Sequence, residues 1–193
     1  MVNRNFPRSF FVTHAVSLTV VFICIGLFVV QWVGIPIYSL LMFPKEFAHP
    51  FDWIKAFTPV FLHFSLLHIA FNLAIWWFFA RQIEVRLGKL FLIVFLLAAG
   101  YFSNLAQFIW SGPRFGGLSG VVFGVAAFCW AFNVQRQSDF FIVPVGLIIQ
   151  LMLLIVLGFL GWLDFLLGEL AHAAHAGGFL VGILFGMFMA RKK

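Results

Sequence analysis

The sequence predicts an all-α membrane protein: a six-transmembrane-helix bundle with a long interfacial loop between helices 1 and 2. Three observations lead there. Of its 193 residues, 64% are hydrophobic and 9% charged, whereas a soluble domain carries roughly a quarter charged residues. The apolar residues gather into six segments of about the 20 residues that a helix needs to cross a bilayer core. These are residues 12–33, 59–80, 90–110, 117–134, 142–161 and 171–190. Lys and Arg then collect at alternate segment ends, as they do in a multi-pass bundle.

Each element follows in order. The N-terminal stretch MVNRNFPRSFFVTHAVSLTVVFICIGLFVVQWVG has the flavour of a signal peptide. Its apolar run is too long for one and no small-residue cleavage site follows, so it reads as the first span. Gly34–Thr58 holds Pro36, Pro44, Pro50, Lys45, Glu46 and Asp52 among aromatics. It is too long for a turn and too aromatic for a solvated linker, so it is expected to lie in the interface beside the bundle. Spans four and six are rich in glycine and free of charge. The remaining connections are short, which leaves a single domain over residues 1–193 with no separate soluble part. Cys24 and Cys129 lie inside apolar runs and read as small buried residues rather than a disulfide.

The net charge of +6 is no sign of nucleic-acid binding, because its distribution follows the spans. With both termini inside, the cytoplasmic side holds Arg4, Arg8, Arg81, Arg86, Lys89, Arg136, Arg191, Lys192 and Lys193. Lys45, Lys55 and Arg114 remain outside, which satisfies the positive-inside rule. Spans two, four and six then all run inward. Ser119 lies five residues past Arg114 and His175 six past Glu169. Both are therefore roughly 8–9 Å below their flanking charges. His68 and Asn72 fall in the outer half of span two, at similar depth.

Polar side chains at membrane depth mark a functional site or a helix contact. His68 and Asn72, four apart in HFSLLHIAFN, share a helix face; His63, five before His68, is expected to point elsewhere. Ser119 opens span four behind Gly116 and Gly117. Gly120, Gly124, Ala127 and Ala131 follow as a small-residue stripe, and His175 shares a face with Gly178, Gly182 and Gly186. Such stripes let helices approach closely in lipid, and if these two meet, Ser119 meets His175. A neutral histidine at hydrogen-bond distance activates a serine. His68, Asn72 and a helix-start amide are suitable donors to an oxyanion. Asp164 and Glu169 are near the surface, and Glu84 and Asp139 are on the other side, so the arrangement is a dyad without an acid.

Other readings stand beside this one. A serine at a helix start is often only a cap, and His68 with Asn72 can be a simple interhelical pair. His172 and His175, with His63 and His68, could hold haem or a metal. Ser17, Ser103 and Ser111 read as packing residues.

The residues nevertheless match a family. From about His63 to Gly186 the chain resembles the bacterial rhomboid intramembrane serine proteases of the six-helix GlpG type. The resemblance rests on His63-x4-His68-x3-Asn72, Gly117-Leu118-Ser119-Gly120 and Ala174-His175-x2-Gly178-x3-Gly182. Glu84-x-Arg86-x-Gly88 also resembles the family pattern. The resemblance implies the rhomboid bundle, Ser119 as nucleophile and His175 as general base. It implies an oxyanion hole of His68, Asn72 and the Ser119 amide, with Gly117, Gly120, Phe123, His63 and Gly178 in support. It implies a serine-type endopeptidase of the bacterial inner membrane that needs no cofactor or metal. Its partners would be transmembrane substrates and the bilayer, not nucleic acid, with the oligomeric state open. Span five would move aside for substrate, and Asp164–Ala171 would cap the site.

Departures from the pattern are specific. His172 also follows an alanine, but His175 stands three residues on, where the family has glycine. Phe123 occupies a place where relatives commonly have Tyr. Lys55 stands where the family often has Arg, with Trp53 displaced by one position. GLSGV lacks the second glycine of a G-x-S-x-G elbow, and HExxH is absent. A silent relative that only binds membrane clients remains an alternative.

Overall fold

The computed structural model of the chain describes residues 13–162 and 170–191, and all regular elements among them are helical. The charges at Arg4, Arg8, Asp164, Glu169, Lys192 and Lys193 lie outside the described residues, as does most of the expected cap over Asp164–Ala171. In chain order the helices are α1 (Ala15–Trp32), α2 (Tyr38–Leu41), α3 (Asp52–Lys55), α4 (Leu66–Leu87), α5 (Lys89–Ser111), α6 (Ser119–Arg136), α7 (Val145–Phe159) and α8 (His172–Arg191). A 3-10 turn covers Thr58–Phe61.

The start of α1 is fixed from across the bundle. Glu84 on α4 is buried, and its carboxylate accepts from the Val16 and Ser17 amides, each at 2.8 Å, and from the Ser17 hydroxyl at 2.6 Å. A helix start has orphan N–H groups and a positive dipole end, and this carboxylate meets both needs. The Trp76 indole donates to the Ser17 carbonyl at 3.0 Å.

Helix α4 begins seven residues later than the apolar run suggested, at 66 rather than 59. Pro59 lies in the 3-10 turn and the chain stays non-helical to Ser65. Ser65 is extended and its hydroxyl caps the helix by accepting from the His68 amide at 3.1 Å, a bond that sets the first turn. The helix also continues past residue 80, through Arg81, Gln82 and Glu84. It stops at Gly88, whose φ of +92° suits only glycine and lets α5 start at once.

Helix α6 is the hub. It packs against α8 most extensively and also against α4, α5 and α7, and nearly every position from Gly120 to Phe132 is buried. Helices α1, α4, α5 and α8 are long and apolar enough to cross a membrane. Helix α7 is shorter, at 15 residues. Helix α6 carries glycine and alanine where its surface meets protein, and the polar Asn133, Gln135 and Arg136 at its less buried end. Cys24 and Cys129 are both buried free thiols.

The 34–58 stretch is folded onto the end of α5. Thr58 donates to the Leu41 carbonyl at 2.7 Å, Asn104 to Ala56 at 2.9 Å, and the Tyr101 hydroxyl to Trp53 at 2.7 Å. Phe43 is buried and stacks on Phe108 at 4.7 Å. Phe47, Phe51 and Trp53 remain exposed, an aromatic surface of the type found at membrane interfaces.

Candidate active site

The glycine stripes of α6 and α8 face each other. A Cβ at Gly178 would collide with the Gly120 carbonyl, and one at Gly182 with the Gly124 carbonyl. One at Gly186 would lie 2.7 Å from the Phe128 carbonyl oxygen. The helices therefore touch backbone to backbone, which only side chains as small as these permit. The contact puts His175, in the first turn of α8, against Ser119, the first residue of α6. His175 Nε2 and Ser119 Oγ are 2.9 Å apart.

The imidazole is held on one face by an aromatic ring. Phe123, one turn below Ser119, stacks on it with ring centres 4.4 Å apart and planes within 3° of parallel. Among the described residues the buried His175 Nδ1 atom has no hydrogen-bond partner and no carboxylate orients it. With Nε2 free of its proton, the ring can take the hydroxyl proton of Ser119. The pair can act chemically as nucleophile and base, and among the described residues it has no third member.

Gly117 lies beside the pair with a φ of +132°, and its N–H donates to the Pro59 carbonyl at 2.9 Å. A Cβ there would stand 2.7 Å from His68 Nε2 and 3.7 Å from Ser119 Oγ. The missing side chain leaves the Gly117 backbone open toward the hydroxyl and an imidazole nitrogen. The Ser119 amide starts α6 and so has no intrahelical acceptor.

Three positions differ from expectation. His63 does not point elsewhere. It is fully buried, its ring lies 5.0 Å from that of His68, and its Nε2 accepts from the Leu118 amide at 3.5 Å. Its Nδ1 is 3.2 Å from the Phe61 carbonyl. It precedes the helix, so helical spacing says nothing about its direction. Asn72 is buried but does not line the cavity; its amide donates to the His68 carbonyl at 2.9 Å. Gln107 on α5 was not singled out, yet its Oε1 accepts from the Ala174 amide at 3.1 Å while its Nε2 donates to Ser111 Oγ at 2.8 Å. It caps the start of α8 one residue before His175. A polar side chain inside an apolar span, with Asn104 three residues before it, was the available signal.

Ser119 and His175 open onto a cavity of about 640 Å³ whose wall includes His68, Gln107, Trp110, Ser111, Arg114, Phe115, Gly116 and His172. His172 is buried, with its ring 6.4 Å from that of His175, and occupies the space that a side chain at Gly158 of α7 would need. Among the described residues no three His, Cys, Asp or Glu side chains converge to hold a metal. The two histidine pairs, 63 with 68 and 172 with 175, do not combine into a ligand set.

A Rhomboid domain matches residues 50–192 of the chain. The rhomboid protease GlpG of Yersinia enterocolitica (serotype O:8 / biotype 1B) is 35% identical over 177 residues, covering 91% of this chain and 63% of the relative. That of Serratia proteamaculans (strain 568) is 35% identical over 153 residues, covering 79% and 54%. That of Yersinia pseudotuberculosis (serotype I, strain IP32953) is 32% identical over 203 residues, covering 98% and 71%. The chain spans less than two thirds of the length of the first two relatives.

Proposed function

The chain belongs to the rhomboid family, and from that membership we propose that it is an intramembrane serine endopeptidase cutting the transmembrane helices of other membrane proteins. The observation that carries the reading is the 2.9 Å contact between Ser119 Oγ and His175 Nε2 at the floor of a cavity.

In the proposed reaction Ser119 Oγ attacks the carbonyl carbon of the scissile peptide as His175 Nε2 takes its proton. The oxyanion forms beside Gly117, where the Ser119 amide and His68 are the near donors. Asn72 contributes only by releasing the His68 carbonyl. When the C–N bond breaks, the His175 proton goes to the leaving amine. His175 then deprotonates a water that attacks the acyl-enzyme ester and frees the Ser119 hydroxyl. Each donor held in place at an oxyanion is worth about 10²–10³ in rate. A helix hides its carbonyls in its own hydrogen bonds, so the substrate must unwind locally. Helix-poor sequences and a small residue at the cut favour that.

In the proposed topology six helices, α1 and α4 to α8, cross a bacterial inner membrane with both termini in the cytoplasm. The cavity then opens to the outer side. Helix α7 buries only Ile148, Leu151 and Gly158, which suits it to move aside for a substrate entering from lipid.

The test is cleavage of a single-span substrate in liposomes by wild type, Ser119→Ala, His175→Ala and His172→Ala, with fluorophosphonate labelling of Ser119. Cleavage and labelling should vanish in the first two variants and survive in the third. A dead His172→Ala with an active His175→Ala would overturn the assignment of the base. A wild type that cuts none of several helix-destabilised substrates would favour a client-binding relative.

A further inference from the structure

We propose that Arg114 selects substrates, its guanidinium pairing with a carboxylate side chain close to the scissile bond; this rests on the protease reading above. Among the described residues lining the cavity that holds Ser119 and His175, Arg114 is the one with a permanent charge. It is exposed, and its side chain has no hydrogen-bond or ion-pair partner among the described residues.

Its backbone is fixed. Helix α5 ends at Gly112, whose amide donates to the Phe108 carbonyl at 2.9 Å, and Pro113 follows. On the other side Phe115 is buried against Phe43, with ring centres 5.7 Å apart. Two residues later Gly117 is bonded to Pro59. A Cβ at Gly116 would meet the Leu62 Cβ at 2.8 Å, so this strand of chain lies tight against the 59–62 turn. Arg114 thus stands on a rigid ledge that leads directly into the nucleophile, and a ledge that is already ordered binds without a large ordering cost.

The chemistry follows from the group and its surroundings. Guanidinium presents a planar fork of donors matched to carboxylate. The neighbouring wall includes the rings of Phe64, Trp110 and Phe115, which lower the local polarity and strengthen a charge pair relative to bulk water. A substrate unwound into this cavity passes Arg114 on the way to Ser119, so an Asp or Glu flanking the cut finds a partner there. A Lys or Arg at the same place meets a like charge.

The experiment uses the intact protein in vesicles of zwitterionic lipid, and again with anionic lipid added. Its substrates are one single-span protein in which Asp, Asn or Lys is walked through the residues on either side of the cut. In wild type, kcat/KM should favour Asp over Asn by about three- to tenfold at one or two positions, the range of a part-desolvated charge pair. Most of the difference should appear in KM. In Arg114→Gln the Asp/Asn ratio should fall to near one, in Arg114→Lys it should be intermediate, and in Arg114→Glu the preference should turn to Lys. The proposal is overturned by a wild type that cuts Asp and Asn substrates alike. It is overturned too by a preference that survives Arg114→Gln, or by an Arg114 dependence that follows anionic lipid and ignores substrate sequence. A wild type that cuts none of the set strikes at the protease reading instead.

Discussion

Replacing Gly178 with alanine puts a methyl group into the backbone of α6. The new Cβ meets the Gly120 carbonyl, with the carbonyl carbon only 2.6 Å away and the oxygen nearer still. Backbone cannot rotate out of the way as a side chain tip can, so the helices must part by roughly 1 Å in a close-packed interior. His175 lies three residues back on the same helix, and its bond to Ser119 is 2.9 Å long. A shift of that size takes the pair beyond hydrogen-bond range. Overpacking of this type costs about 1–3 kcal/mol of stability, and a misplacement of about 1 Å at a reacting pair lowers the rate by about 10²-fold. Gly186→Ala is the internal comparison. Its Cβ meets Phe128 and Ala131 at 2.7 and 3.0 Å, but its position is about 16 Å down the helix from His175. Its stability loss should be similar and its rate loss much smaller. Gly26→Ala in α1, with nothing within 4 Å, should be neutral or stabilising by up to about 1 kcal/mol. Thermal unfolding in detergent and cleavage of a single-span substrate measure the two effects separately. A Gly178→Ala protein that is folded and cleaves at the wild-type rate would refute the claim that this backbone contact sets the dyad distance.

Other outcomes follow from the same geometry. Phe123→Ala removes the ring stacked on His175 and a buried side chain, so stability should drop by about 3–5 kcal/mol; Phe123→Leu should retain more stability yet still lower kcat, which a substrate titration reads. His68→Ala should lower kcat by about 10²-fold or more, and Asn72→Ala by less, since the Asn72 amide is engaged with the His68 carbonyl; equal losses in single-turnover rates would contradict that ranking. Glu84→Gln weakens three bonds at the start of α1, and hydrogen bonds to a charged group are worth about 1.5–3 kcal/mol each. A fall in melting temperature, with fluorophosphonate labelling of Ser119 retained below it, is the expected result.

Sequence alone determined the features that repeat along one helix. The apolar runs located the helices, and the spacing of Gly120 and Gly124 against Gly178 and Gly182 showed two narrow faces able to touch. That contact is short-ranged and backbone-driven, so the meeting of Ser119 with His175 was legible before any coordinates. Phe123 was singled out by the family resemblance, and its stacking on His175 came from the structure.

Tertiary structure decided what depends on chain outside the helical period or on a partner from another element. The apolar run from 59 hid both the 3-10 turn and the Ser65 cap, because hydropathy does not record where a hydroxyl meets an amide. His63 reaches the His68 ring and the Leu118 amide because it lies on the non-helical chain before this cap. Gln107 reaches α8 only through the packing of α5, and Arg114 joins the cavity only because Phe115 and Gly117 fix the ledge between them. Asn72 lies on the same helix as His68, yet its amide turned to the backbone. Periodicity assigns a residue to a face, but the hydrogen bond that its polar group makes is a competition between neighbours that only the folded arrangement resolves.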